Sequence, residues 1–158
     1  MISRGRAIVK SEGWAHMKVT VRCNDGTALY PGMAVTRAGQ TAPDVGRCDA
    51  YGEPPFAILG LPSDQDIDTN FEDNDEVVAY MIGSGAVILS KLVEASSVTA
   101  GEKLYADDGD TGWLMAAHMD GLEATASLGY QILKTYVGIA METLASNASL
   151  QPVWVALV

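Results

Sequence analysis

Short apolar runs, each closed by a cluster of turn-forming residues, limit this chain more than any other feature. The runs are Arg6–Lys10, His16–Arg22, Pro55–Leu61, Glu76–Ile82, Ala86–Leu92, Lys103–Ala106, Gly112–Ala117, Tyr130–Thr143 (broken near Gly138) and Pro152–Val158. Between them stand Asn24-Asp25-Gly26, Pro31-Gly32, Tyr51-Gly52-Glu53-Pro54-Pro55, Gly83-Ser84-Gly85, Ala100-Gly101-Glu102 and Asp107-Asp108-Gly109-Asp110. Glycine supplies positive φ, proline fixes φ, and Asp and Asn bond their own backbone, so each cluster is a turn. Runs of this length suit strands and are too short for most helices.

Alternation is clearest in His16-Met17-Lys18-Val19-Thr20-Val21-Arg22, where Met17, Val19 and Val21 share one face and the polar residues the other. That is the pattern of a half-buried strand. Glu76–Leu92 reads as two β-rich runs joined at Gly83-Ser84-Gly85, a hairpin signal. Val153–Val158 carries no charged side chain, and as a free edge it would aggregate, so it must pair. Ala116–Leu133 fits either two helical turns or a loop. The expectation is an all-β fold, a small β-barrel or sandwich of short antiparallel strands with at most one short helix. Residues 1–15 read as an N-terminal arm and 16–158 as the β-barrel domain, with no internal sequence repeat.

Composition narrows the function. The 158 residues carry a net charge of −10, which disfavours nucleic acid as a partner because phosphate binding needs clustered bases. The charge is uneven: Arg4, Arg6, Lys10, Lys18, Arg22, Arg37 and Arg47 face only Glu12, Asp25 and Asp44 in residues 1–47. Such asymmetry marks either a basic arm that docks on something acidic or bases that interleave with acids in the fold. No apolar run reaches the roughly 18 residues of a membrane span, and none follows Arg4 and Arg6 as a secretory h-region would, so neither a membrane span nor a secretory signal is expected. Cys23 and Cys48 are isolated and read as two buried thiols.

Catalytic and metal constellations are hard to find. Asp64–Glu76 holds seven acids and no base, and Asp64-Gln65-Asp66-Ile67-Asp68 opens like a calcium loop. Thr69 then stands where that loop needs Gly and Asp75 where it needs Glu, so an acidic surface loop without a metal is expected. His16 and His118 are the available imidazole bases, and neither sits in a motif with Ser or Cys. Gly83-Ser84-Gly85 lacks the Lys and helix of a phosphate loop. No enzyme activity and no cofactor are expected.

Three stretches together carry a resemblance: Leu29-Tyr30-Pro31-Gly32-Met33-Ala34-Val35-Thr36, a turn leading into a strand; Val98-Thr99-Ala100-Gly101-Glu102-Lys103-Leu104-Tyr105-Ala106-Asp107; and Tyr136-Val137-Gly138-Ile139-Ala140-Met141-Glu142 followed by the terminal strand. In this order they resemble the small β-barrel head-decoration (capsid cement) proteins of tailed bacteriophages and related viruses. The resemblance spans residues 29–158, with no counterpart for Asp64–Glu76 or Ala116–Tyr130. It implies a virion protein on the outside of an icosahedral capsid, bound to the major capsid protein, bridging shell subunits and assembled as a homotrimer. It also implies an N-terminal arm reaching onto the shell and no catalytic residue.

The arm reading rests on Arg4, Arg6, Ile8, Val9 and Lys10, three bases and two β-branched apolar residues with no acid among them. Added to an exposed sheet edge, such a segment gains main-chain hydrogen bonds and buries Ile8 and Val9, while its bases meet carboxylates. Arg6–Lys10 equally suits an ordinary first strand of the barrel. The alternative for the whole chain is an intracellular β-barrel or β-clip binding module, or an enzyme accessory subunit.

Overall fold

The computed structural model describes residues 17–37, 41–48, 54–62, 66–107, 111–116 and 135–158. They form ten strands: β1 Lys18–Cys23, β2 Ala34–Thr36, β3 Asp44–Arg47, β4 Ala57–Leu59, β5 Glu76–Met81, β6 Val87–Leu92, β7 Lys103–Ala106, β8 Leu114–Ala116, β9 Tyr136–Ala140 and β10 Gln151–Ala156. The fold is all-β, and no helix occurs among the described residues.

The strands close into two barrels, β1-β3-β2-β4-β5 and β6-β8-β7-β9-β10. Each contains one parallel pair, β1 with β3 and β6 with β8, among otherwise antiparallel pairs. Closure leaves no free edge within either ring, which disposes of the aggregation hazard of the uncharged terminal strand: β10 pairs with β6 on one side and β9 on the other.

The two rings have the same topology, and their registers correspond residue by residue. Lys18 pairs with Tyr80 and Val19 with Ala79 in the first ring, as Val87 pairs with Ala156 and Ile88 with Val155 in the second. Cys23 faces Val45 as Leu92 faces Leu114, and Val35 faces Arg47 as Leu104 faces Ala116. Residues 18–47 therefore match 87–116 with no insertion or deletion. Details follow the match: Gly32 and Gly101 sit at φ 87° and 89°, Gly26 and Ala95 at 65° and 59°. The bridge from Leu29 to Phe71 recurs as Val98 to Leu144. Gly32 N–H donates to Leu59 O and Gly101 N–H to Ala140 O, both at 2.8 Å. Across this run the sequences share a single identity, Gly32 with Gly101, which is why no repeat is visible in the sequence.

Three expectations are corrected. Glu76–Leu92 is not a hairpin: β5 pairs with β1 and β4, β6 with β10 and β8, so Gly83-Ser84-Gly85 is the passage between barrels. Alternation reveals a strand but not its partner, and a Gly-rich turn serves either connection. The strand near Gly138 does not break; β9 runs through it, and the irregularity lies opposite, between Leu104 and Tyr105 of β7. Gly138 is there because a Cβ would lie 2.2 Å from Ala156 O. Finally, Met17 precedes β1 and is exposed, so it does not share the inward face of Val21.

The barrels are packed together. Ala34, Ile58 and Tyr80, on the outside of the first ring, belong to the same buried cluster as Ile88, Leu104 and Val155 inside the second. Trp113, from the second half, joins the core of the first with Val21, Val35 and Leu59. Gly32 lies so close to β6 that a Cβ would stand 2.7 Å from Leu89 O. There the fully buried Ser90 hydroxyl donates to Gly32 O at 2.7 Å, and Ala34 N–H donates to Gly112 O at 2.8 Å.

Candidate functional site

The arm residues Arg4, Arg6, Ile8, Val9 and Lys10 lie outside the described residues, as do His16, His118 and most of Ala116–Leu133. Among the described residues no group of three or more His, Cys, Asp or Glu is arranged to hold a metal ion.

Of Asp64–Glu76, residues 66–76 are described. Asp66 and Asp68 are exposed, but their geometry is that of a tight surface turn. Thr69 N–H donates to Asp66 O at 3.0 Å, and the Asp75 carboxylate accepts from Glu72 N–H at 2.8 Å. Asp68 forms an ion pair with Lys91 at 2.6 Å, tying this acidic segment to β6 of the second barrel. Lys91 Nζ also lies 5.1 Å from the ring centroid of Trp113, within cation–π range.

Acid and base on the first barrel are arranged differently. Arg22 Nε meets Asp44 Oδ1 at 2.5 Å across the parallel β1–β3 pair, and Asn24 Nδ2 donates to Asp44 Oδ2 at 2.9 Å. The hydrogen bonds from Arg22 and then Asn24 hold the Asp44 carboxyl below the usual carboxylate range; the same bond raises Arg22. These are strand-to-strand clamps.

Cys23 and Cys48 are buried thiols that are not joined in a disulfide. Burial first, then the carboxylates of Asp75 and Asp73, push Cys23 up to about 12. A thiol so rarely ionised at neutral pH is not a nucleophile.

What the described surface does present is exposed apolar side chains, chiefly in two places, with Leu150 (38%) before β10 besides. Met17 (52% exposed) and Val78 (45%) flank β1 on the first barrel, and Val78 pairs with the exposed Thr20. Met141 (52%) follows β9 and Val158 (53%) lies beyond β10 on the second barrel, near half-buried Ile139 and Ala156. Sequence reasoning missed these residues, because an apolar residue in a strand-rich chain reads as core; the signal was Met17 lying one residue before the strand and Met141 one after. Contiguous apolar surface of this kind suits contact with another protein.

No protein-family description matches the chain, and no curated protein matches it. Among solved structures, it is similar to the head fiber gp8.5 N base of bacteriophage phi29, with a TM-score of 0.50 and 14% sequence identity. The likeness covers 91% of this chain and 95% of that one, so it extends over both barrels. At this identity it is a likeness of fold.

Proposed function

We propose that this chain is a structural protein of a bacteriophage virion, bound to the outside of the capsid through the major capsid protein and stabilising the shell by bridging its subunits. The observation that carries the reading is the end-to-end likeness to the phi29 head fiber N base, a protein described as part of a phage head. The short motifs around Gly32, Gly101 and Gly138 point the same way, through their resemblance to head-decoration proteins.

The mechanism is adhesive. Closed barrels give a rigid body without edges, and the apolar patches supply contact area. The N-terminal segment adds Arg4, Arg6 and Lys10 for attraction to shell carboxylates and Ile8 and Val9 for retention. On the shell the protein acts as a trimer, without enzyme activity, metal or cofactor.

Mass spectrometry of purified particles tests the reading directly. The chain should be present at many copies and should be stripped by conditions that leave the shell closed. Deletion of residues 1–10 tests the arm: the truncated protein should fold and lose its hold on shells. Particles that lack the chain would overturn the virion reading; a truncated protein that still binds shells would overturn the arm.

A further inference from the structure

The contact between the two barrels is not symmetric. The outside of β2, β4 and β5 in the first barrel, with Ala34, Ile58 and Tyr80 buried and Leu61 and Ile82 packed beside them, presses on the second barrel. There the Gly32 turn meets Leu89 and Ser90 of β6. A two-fold contact would use the same patch on both sides; this one joins two different patches.

Because the barrels correspond residue by residue, each patch has a counterpart that the described residues leave unused. The counterparts of Ala34, Ile58, Tyr80 and Ile82 on the second barrel are Lys103, Ile139, Ala156 and Val158. Lys103 and Val158 are exposed, and Ile139 and Ala156 are half-buried. The turn equivalent to Gly32 is Gly101, where a Cβ would meet nothing within 4 Å. On the receiving side, the counterpart of Leu89 is Thr20, exposed and paired with Val78.

Four of the five large apolar side chains exposed among the described residues belong to these two counterpart faces, Leu150 before β10 being the fifth. Met141 and Val158 lie on one, Met17 and Val78 beside the other. A heterologous contact that is used once and left open at both ends is the arrangement that continues into further copies.

We propose that copies of this chain associate head to tail by repeating the inter-barrel contact. The β7–β9–β10 face of one copy, with its Gly101 turn, seats on the β1 face of the next, around Thr20 and Val78. The occupant of both faces is a second copy of this chain. The assignment is independent of the virion reading, because it concerns the free protein.

The test uses two surface variants, Met141→Asp on one face and Val78→Asp on the other, followed by sedimentation velocity. The wild type should associate as its concentration is raised toward about 1 mM, the weak limit of specific binding. Each variant alone should remain monomeric. Mixed in equal amounts they should form a one-to-one dimer and nothing larger, since each retains the face its partner needs. Should Val78→Asp fail to fold, as its circular dichroism would show, Thr20→Arg blocks the same face. The proposal is overturned by a wild type that stays monomeric to that concentration, by variants that associate as the wild type does, or by a mixture that stays monomeric. The last two outcomes would assign the apolar patches to a different partner, such as a shell.

Discussion

The two barrels share a path and almost nothing else. At the position where the first barrel clamps its parallel strands with Arg22 and Asp44, the second has Lys91 over the Trp113 ring. Each cation has a carboxylate partner, Asp44 across the strand pair for Arg22 and Asp68 from the other barrel for Lys91, but only Lys91 also has a π face at the matching position. Inside, Val21 of the first ring becomes the hydroxyl-bearing Ser90 of the second, where Gly32 of the other barrel supplies the acceptor. What is retained is backbone: the positive φ before β2 and β7, the bridge three residues earlier, and the ladder registers. A topology of short strands is thus specified by where the chain turns and which positions face inward, while the identity of each side chain is set by its local neighbour.

The largest effect should come from asking whether two rings mean two folding units. Leu59 in the first barrel and Leu104 in the second are both fully buried. Truncating either to Ala removes most of a core side chain and should cost about 2–5 kcal/mol. Because Ala34, Ile58 and Tyr80 are buried in the second barrel's cluster, both variants should still unfold in one transition. Urea titrations followed by circular dichroism and by Trp fluorescence check this. Two separated transitions would mean that the shared cluster does not couple the barrels.

Next come the two equivalent glycines. Gly101→Ala meets open space, so its cost is the left-handed backbone alone, about 1–2 kcal/mol. Gly32→Ala has the same φ penalty and also drives a Cβ toward Leu89 O, which is backbone and cannot swing away. Overpacking adds about 1–3 kcal/mol, so the Gly32 variant should be clearly the weaker of the pair in thermal unfolding. Equal losses would show that the inter-barrel contact yields at little cost.

Strand positions were the most legible part of the sequence, because alternation and turn chemistry are local. Lys103–Ala106 coincides with β7, and Glu76–Ile82 and Ala86–Leu92 differ from β5 and β6 only at their ends. β3, Asp44–Arg47, was missed because Asp-Val-Gly-Arg offers one apolar side chain and a residue with low β propensity. The ring partners were not legible: β5 and β6 look like a hairpin and belong to different barrels, and only long-range packing decides that. The repeat was invisible for a related reason, since turn geometry accepts Gly26 or Ala95 at one φ and hides the match. The apolar faces around Val78 and Met141 were also hidden, because exposure depends on what the rest of the chain covers.

The Arg22–Asp44 clamp gives the barrels different responses to acid. Asp44 titrates below its ordinary range when folded, so it contributes stability that is present above the unfolded value, near pH 3.9. That contribution is lost as pH falls from there through the folded value. The second barrel has Trp113 at the matching position and no carboxylate to protonate there. Asp44→Asn should therefore flatten the acid limb of stability against pH, whereas Trp113→Phe should leave its slope unchanged. Denaturant midpoints measured from pH 6 down to about pH 2 decide the matter, and identical slopes for wild type and Asp44→Asn would remove the clamp from the argument.

The smallest effect concerns the position where the match is least expected. Gly26 and Ala95 occupy equivalent turns after β1 and β6, at φ 65° and 59°. Glycine adopts that region freely, whereas alanine brings its Cβ close to the following carbonyl. Ala95→Gly relieves this but enlarges the conformational freedom of the unfolded chain, so the two terms partly cancel. A net stabilisation of about 0.5–1 kcal/mol is expected, as left-handed strain of 1–2 kcal/mol exceeds the entropy penalty of glycine. Gly26→Ala should do the reverse by a similar amount, since its Cβ would meet nothing within 4 Å and the backbone alone responds. Opposite shifts in the thermal midpoints of the two variants would confirm that backbone geometry, rather than side-chain contact, keeps the barrels in register at this turn. If Ala95→Gly is destabilising instead, Ala95 is held by contacts that its counterpart lacks, and the correspondence between the barrels ends at β6.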